Sequence, residues 1–320
     1  MHLVCAIYEH AAQVIGETPW RVSRDAGLLA RAHAGTYQRY HHAPVVVGID
    51  VYHLEAEAYG AAVHDAGGVG TPKLSPLSGY ELDDLLTLPA LDTARAGRLP
   101  MVLQAGRQVR DAHPEADVRI PVTGLFTLAA QLIGLEPLLM ELLTEPDAVS
   151  AALQHLLAGQ RRWCRQIADA GLGMVVFESA ASPPMMSPMF CRQVLFPPLG
   201  ALLAEVQAVT GAGAMLIQGG DTAALTAELC ALPIGHLLCP AETDQAAFMA
   251  GISPCPTTEV RVNMRAGVIA SPHWPDIQQE LDRTLALAHR HPAGCIGTGI
   301  IPYDTPSENI LRAISYVTEV

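Results

Sequence analysis

The chain is poor in charge, and poorest in positive charge. Only 16% of its 320 residues are charged, and Lys plus Arg number 19 against 32 Asp plus Glu. No basic face is available to neutralise a phosphate backbone, which excludes nucleic acid as a partner. The seven cysteines, at positions 5, 164, 191, 230, 239, 255 and 295, contain no CxxC pair. An odd, scattered set in a large chain is not a disulfide framework, so reduced thiols that mostly fill the core are expected. Uninterrupted apolar runs of roughly 18 residues, the length of a membrane span, are lacking too. The opening MHLVCAIYEH has no basic segment before its short apolar run, so a cytoplasmic protein is expected.

What the chain does have is hydrophobic residues, which make up 50% of it, enough for a sizeable buried core. They fall into an alternating pattern. Short apolar runs suited to buried parallel strands are VVVGID (45–50), IPVTG (120–124), MVVFES (174–179), AMLIQG (214–219), HLLCP (236–240), EVRVN (259–263) and CIGTGI (295–300). LVCAIY (3–8) reads equally as strand or helix. Between the runs lie Ala- and Leu-rich stretches of helical spacing, such as 150–171 and 273–291, bounded by glycine or proline. With no Ser/Gly linker or low-complexity segment, the order predicts a single α/β domain over 1–320, a (β/α)8 TIM barrel.

In such a barrel the chemistry sits where strands end. The polar residues just after the apolar runs are therefore the candidates: His10, Asp50, Tyr52, Glu55, Glu57, Thr123, Glu178, Gln218, Asp221, Glu242, Asn263, Thr298, Tyr303 and Asp304 among them. This mouth is rich in carboxylates. If burial raises its pKa, Glu178, Asp50 or Glu55 can act as a general acid. Each has a plainer reading as well. Asp50 can cap a turn, Glu55 and Glu57 can face a helix dipole, and a lone histidine such as His10 is more often a hydrogen-bonded structural group.

Four ordered segments carry a family resemblance. They are GIDVYHLEAEAYGAAV (48–63), PVTGLFTLAAQLIG (121–134), FESAASPPMMSPMFCRQVLFPPL (177–199) and GTGIIPYDTPSENI (297–310). Together they resemble the uroporphyrinogen decarboxylase superfamily, which includes the heme-pathway decarboxylase and cobalamin-dependent methyltransferases. The resemblance implies a TIM barrel, and by analogy a homodimer. It also implies two sets of site residues that this chain largely lacks. Asp50 stands where the decarboxylase has its aspartate, but Gln131 takes the tyrosine position, Thr298 the histidine position, and no basic N-terminal segment is present. The methyltransferase branch holds zinc through His-x-Cys and a distal cysteine; Leu216, Gln218 and Gly299 occupy those positions. The family zinc site is thus expected to be absent, with Cys295 the one nearby thiol.

These departures imply a corrinoid-linked methyltransferase acting on a small non-thiol molecule. Catalysis is then expected from Asp50, Glu178 and Glu55, and substrate contact from His10, Tyr52, Gln218, Asp221, Thr298 and Tyr303. Because the chain has no DxHxxG motif, any cobalamin would arrive on a partner corrinoid protein or bind in the cleft. The alternatives are a lyase using Asp50 and a non-catalytic tetrapyrrole- or corrinoid-binding protein.

Overall fold

The computed structural model describes residues 1–319. Eight strands form a parallel ring: β1 (Leu3–Ala6), β2 (Val45–Val46), β3 (Val118–Thr123), β4 (Gly173–Glu178), β5 (Ala214–Gln218), β6 (Ile234–Cys239), β7 (Glu259–Asn263) and β8 (Gly294–Ile300). Their order is β1-β8-β7-β6-β5-β4-β3-β2, so the sheet curls round until its first and second strands are the two ends of a nearly closed barrel. The expected (β/α)8 architecture is the observed one. The ambiguous LVCAIY resolves as strand, pairing Leu3 with Ile296 and Val4 with Gly297.

The run at 45–50 differs from expectation, since only Val45 and Val46 keep the ladder. The buried His33 ring bonds the backbone of Gly48, and the chain peels away to bring Asp50 against Arg98. Before β3 the chain also forms an antiparallel hairpin, Ala62–His64 with Lys73–Ser75.

The side-chain period of two sorts each strand between two apolar compartments. Val175 and Phe177 of β4, Met215 and Ile217 of β5 and Leu238 of β6 join Ala6, Tyr8, Val46 and Val51 in the barrel lumen. Their neighbours Met174, Val176, Leu216, Leu237, Val260 and Val262 face outward, into a larger core shared with the helices.

The helices meet that outer face. Pro146–Asp169 starts with proline at its first position and buries Val149, Leu153, Leu156, Leu157 and Trp163 on one side. Trp274–Ala288 does the same with Ile277, Leu281 and Leu285. The run Pro188–Thr210 is long and apolar enough by composition to cross a membrane, but half of it is buried inside the protein.

One expectation about the cysteines is corrected. Cys230 and Cys255, whose Cα atoms lie 5.9 Å apart, are joined as a disulfide. Cys230 ends the helix Thr226–Cys230 after β5, and Cys255 lies beyond the helix Gln245–Gly251 after β6; the two meet in space although 25 residues separate them, a proximity that spacing alone does not reveal. The other five cysteines are free and buried.

Candidate active site at the barrel mouth

A cavity of about 550 Å3 opens within the C-terminal mouth. Phe177, Ile217 and Leu238, inward positions of β4, β5 and β6, supply its apolar wall, and Tyr8 and Tyr52 complete an aromatic side. The Phe177 ring meets Tyr8 edge-on at 6.2 Å and Tyr52 at 5.2 Å between centroids. Burial raises the pKa of both tyrosines above 10, so both hydroxyls stay protonated near neutral pH. The Tyr52 hydroxyl accepts a hydrogen bond from Ser179 at 3.1 Å.

Asp221 and Glu242 are the lining carboxylates, and both side chains belong to exposed residues. Thr243 donates to Asp221 at 2.7 Å. Arg261 is the cavity's one lining cation, placed by the inward face of β7 together with Asn263. The turn carrying Gly219 and Gly220 forms another part of the lining. Gly220 sits at φ +82°, and a Cβ there would stand 2.8 Å from Cβ of Ser182. A side chain is excluded on both counts.

Among the residues expected from sequence, Tyr52, Asp221, Glu242 and Asn263 line this cavity, and Gly299 does so without a side chain. The three carboxylates expected to be catalytic do not. Glu178 ends β4 on its outward face, where Thr127 and Phe126 donate backbone hydrogen bonds at 2.9 and 3.1 Å and the Thr127 hydroxyl adds another. It caps the amino end of helix Leu125–Ile133. Gly124 makes room for it, since a Cβ at that position would lie 2.8 Å from Glu178 Cβ. Burial pushes the Glu178 carboxyl up to about 7, against those hydrogen bonds. The shift expected of an acid is present, but the group has no access to the cavity.

Glu55 is likewise enclosed. It accepts from the Thr123 backbone at 2.7 Å and hydroxyl at 2.6 Å, and from Gln160 at 3.2 Å. Burial raises its pKa and these bonds oppose the rise. Asp50 takes both terminal nitrogens of Arg98, at 2.7 and 2.5 Å. Burial pushes its carboxyl up, but Arg98 and His53 outweigh burial and hold it below its ordinary value. An ionised, doubly engaged carboxylate is a poor proton carrier, so the lyase role expected of Asp50 lacks a geometric basis.

The remaining candidates lie outside the cavity lining. His10 is buried between the Tyr303 carbonyl and the Tyr40 hydroxyl, at 3.1 and 2.8 Å, and Tyr303 donates to the Glu17 carbonyl at 3.1 Å. Thr298 accepts from the Ala6 amide at 3.2 Å and donates to the Gly299 carbonyl at 2.7 Å, tying β8 to β1. Gln218 points outward beside Glu178 in the β4–β5 register and donates to the Ala181 carbonyl at 3.0 Å.

Zinc does not fit the family positions. Leu216 and Gln218 both face away from the lumen, and Gly299 offers no ligand. Among the described residues the one group of possible metal ligands is His2, Glu259 and Cys295, with ligand atoms within 4.8 Å of one another. It lies where β7 and β8 begin, at the opposite end of the barrel from the mouth. Burial holds the Cys295 thiol up at about 12, and Glu259 is already engaged by His236 at 2.5 Å.

Eight parallel strands with a cavity at their carboxyl ends define a TIM-barrel protein with its site in the usual place. The uroporphyrinogen decarboxylase (URO-D) family model matches residues 4–320, and the chain belongs to that family. A solved structure of a methyltransferase from Methanosarcina mazei superposes with a TM-score of 0.80, over 100% of this chain and 94% of its own. At 18% identity it shares the fold. No curated protein matches the chain.

One charged lining residue is missing from the candidates that the sequence suggested. Arg261 stands within EVRVN, inside a strand rather than after it. Its signal was the alternation Glu259-Val260-Arg261-Val262-Asn263, which sets three polar side chains on one face of a buried strand.

Proposed function

We propose that the protein is a corrinoid-linked methyltransferase whose small, non-thiol substrate occupies the mouth cavity. The observation that carries the reading is the lining itself. It is a walled pocket of small-molecule size, in a barrel of the URO-D family, with no cysteine or histidine in its lining and without the several arginines that a polycarboxylate tetrapyrrole would demand. The methyltransferase neighbour is compatible with this branch.

A corrin macrocycle with its peripheral side chains does not fit within about 550 Å3. A partner protein would therefore present it at the mouth, where it would exchange a methyl group with the substrate. The chain's own task is to hold the methylated group toward that opening, exclude water with the Phe177, Ile217 and Leu238 wall, and supply a proton to the departing oxygen or nitrogen. Tyr52 is the assigned proton donor. It stays protonated, lines the cavity, and is oriented by Ser179.

The test is methyl transfer from a panel of methoxy and methylamine compounds to cob(I)alamin, followed by the corrinoid absorbance change. Turnover that falls at least about tenfold in Tyr52→Phe supports the reading, in line with the usual contribution of a positioned acid. Rates with the wild type no greater than with Tyr52→Phe across the panel sink it.

A further inference from the structure

Arg261 is 5% exposed, and its guanidinium makes no hydrogen bond or ion pair with any described residue. Its buried Nε is without a partner. Such isolation is unusual, because a desolvated cation without a counter-charge is expensive. The chain's other buried arginine shows the contrast, since Arg98 is engaged by Asp50, by Glu57 and by the Ser23 carbonyl.

No surrounding group pairs with the guanidinium. Tyr8, Tyr52 and Cys295 are held neutral by burial, and the Glu259 carboxylate, two residues earlier on the strand, attracts it only through space, its contacts being with His236 and His2, at 2.5 and 3.3 Å. Asp221 and Glu242 line the same cavity but make no ion pair with Arg261. Two residues on, along the same inward face of β7, lies Asn263, whose Oδ1 is also buried and unpartnered.

Space has been made for both side chains. A Cβ on Gly297 would come within 2.8 Å of Arg261 Cδ and would collide with Asn263 Oδ1. This glycine of β8 is thus a cradle for the inward residues of β7.

We infer that Arg261 is the anchor for a carboxylate group of the substrate, received deep in the lumen with Asn263 beside it. A guanidinium presents a planar fork that matches a carboxylate with two parallel hydrogen bonds. The occupant carries a single negative charge, because the lining offers one cation and two carboxylates that would repel a second charge. An apolar or methylated body then lies against Phe177, Ile217 and Leu238. From the preceding reading this takes only that the cavity is the substrate site.

The test is binding without turnover. Small monocarboxylates from acetate to benzoate, their primary amides and inorganic phosphate are titrated into the protein and its variants by calorimetry at neutral pH. The acids should bind at least about tenfold more tightly than the amides, as expected for a charge-assisted pair, and more tightly than phosphate. Arg261→Met should lose that preference while melting no lower than the wild type, since it removes a buried unpaired cation. Gly297→Ala, which leaves the charge in place, should also weaken the acids.

Equal binding of acids and amides, preference for phosphate, or acid binding that survives in Arg261→Met overturns the inference. So does a lower melting temperature in Arg261→Met together with no acid binding by the wild type, which would make Arg261 a structural cation. Acid binding without methyl transfer would refute the methyltransferase reading alone, and methyl transfer without acid selectivity would refute this inference alone.

Discussion

Replacing Glu178 by glutamine should flatten part of the pH dependence of stability while leaving the mouth cavity intact. The carboxyl is lifted from an ordinary 4.5 to about 7, chiefly by burial. At about 1.4 kcal/mol per pH unit, this favours the unfolded chain by about 3 kcal/mol once the group is fully ionised. Because the folded value is the higher one, the stabilisation is whole below pH 4.5 and is lost as pH rises through 7.

The wild type should therefore lose about 3 kcal/mol relative to Glu178→Gln between about pH 4 and pH 8. Other titrating groups cancel in that difference. At low pH the glutamine should be the less stable protein by about 1–3 kcal/mol, because its amide points a donor at a backbone N–H. Urea unfolding of both proteins across this range measures the difference, and a carbon NMR titration of the Glu178 carboxyl measures its cause. A difference that stays constant with pH, or a carboxyl that titrates near 4.5, refutes the reasoning.

Two further outcomes follow from the same network of contacts. Asp50→Asn should destabilise the fold by about 3–5 kcal/mol at neutral pH in urea unfolding, because it strips a charge partner from buried Arg98. With its folded pKa below 3.8, Asp50 contributes stability above that value and loses it as pH falls further. Gly220→Ala should lower the melting temperature, at a cost of about 1–3 kcal/mol from the positive φ alone, and should weaken cavity ligands by displacing Ser182.

The fold was legible because buried parallel strands announce themselves. Runs such as MVVFES and AMLIQG can hardly be anything else between helical stretches of matching length. The site was less legible, and Glu178 shows why. Reading the residue after each apolar run locates the mouth along the barrel axis but says nothing of whether a side chain faces the lumen or the helices. Counting in twos from Val175 and Phe177 places Glu178 outside, and counting from Ile217 places Gln218 outside as well. The same count from Asn263 would have found Arg261. Asp50 failed for a different reason, since its partner Arg98 lies 48 residues away and no local pattern pairs them.

The last strand has a consequence for redesign. At the mouth its inward positions are Gly297 and Gly299, so the cavity's capacity is governed by a wall that contributes almost no side-chain volume. The two are not equivalent handles. Position 297 is closed to change by the stems of Arg261 and the amide of Asn263, whereas a Cβ at 299 meets nothing nearer than the Met264 carbonyl at 3.6 Å. What holds 299 to glycine is backbone geometry, φ +66°, and an asparagine tolerates that region better than most residues. The volume of this cavity is thus adjustable from one side at a single residue, without disturbing Arg261 or Asn263.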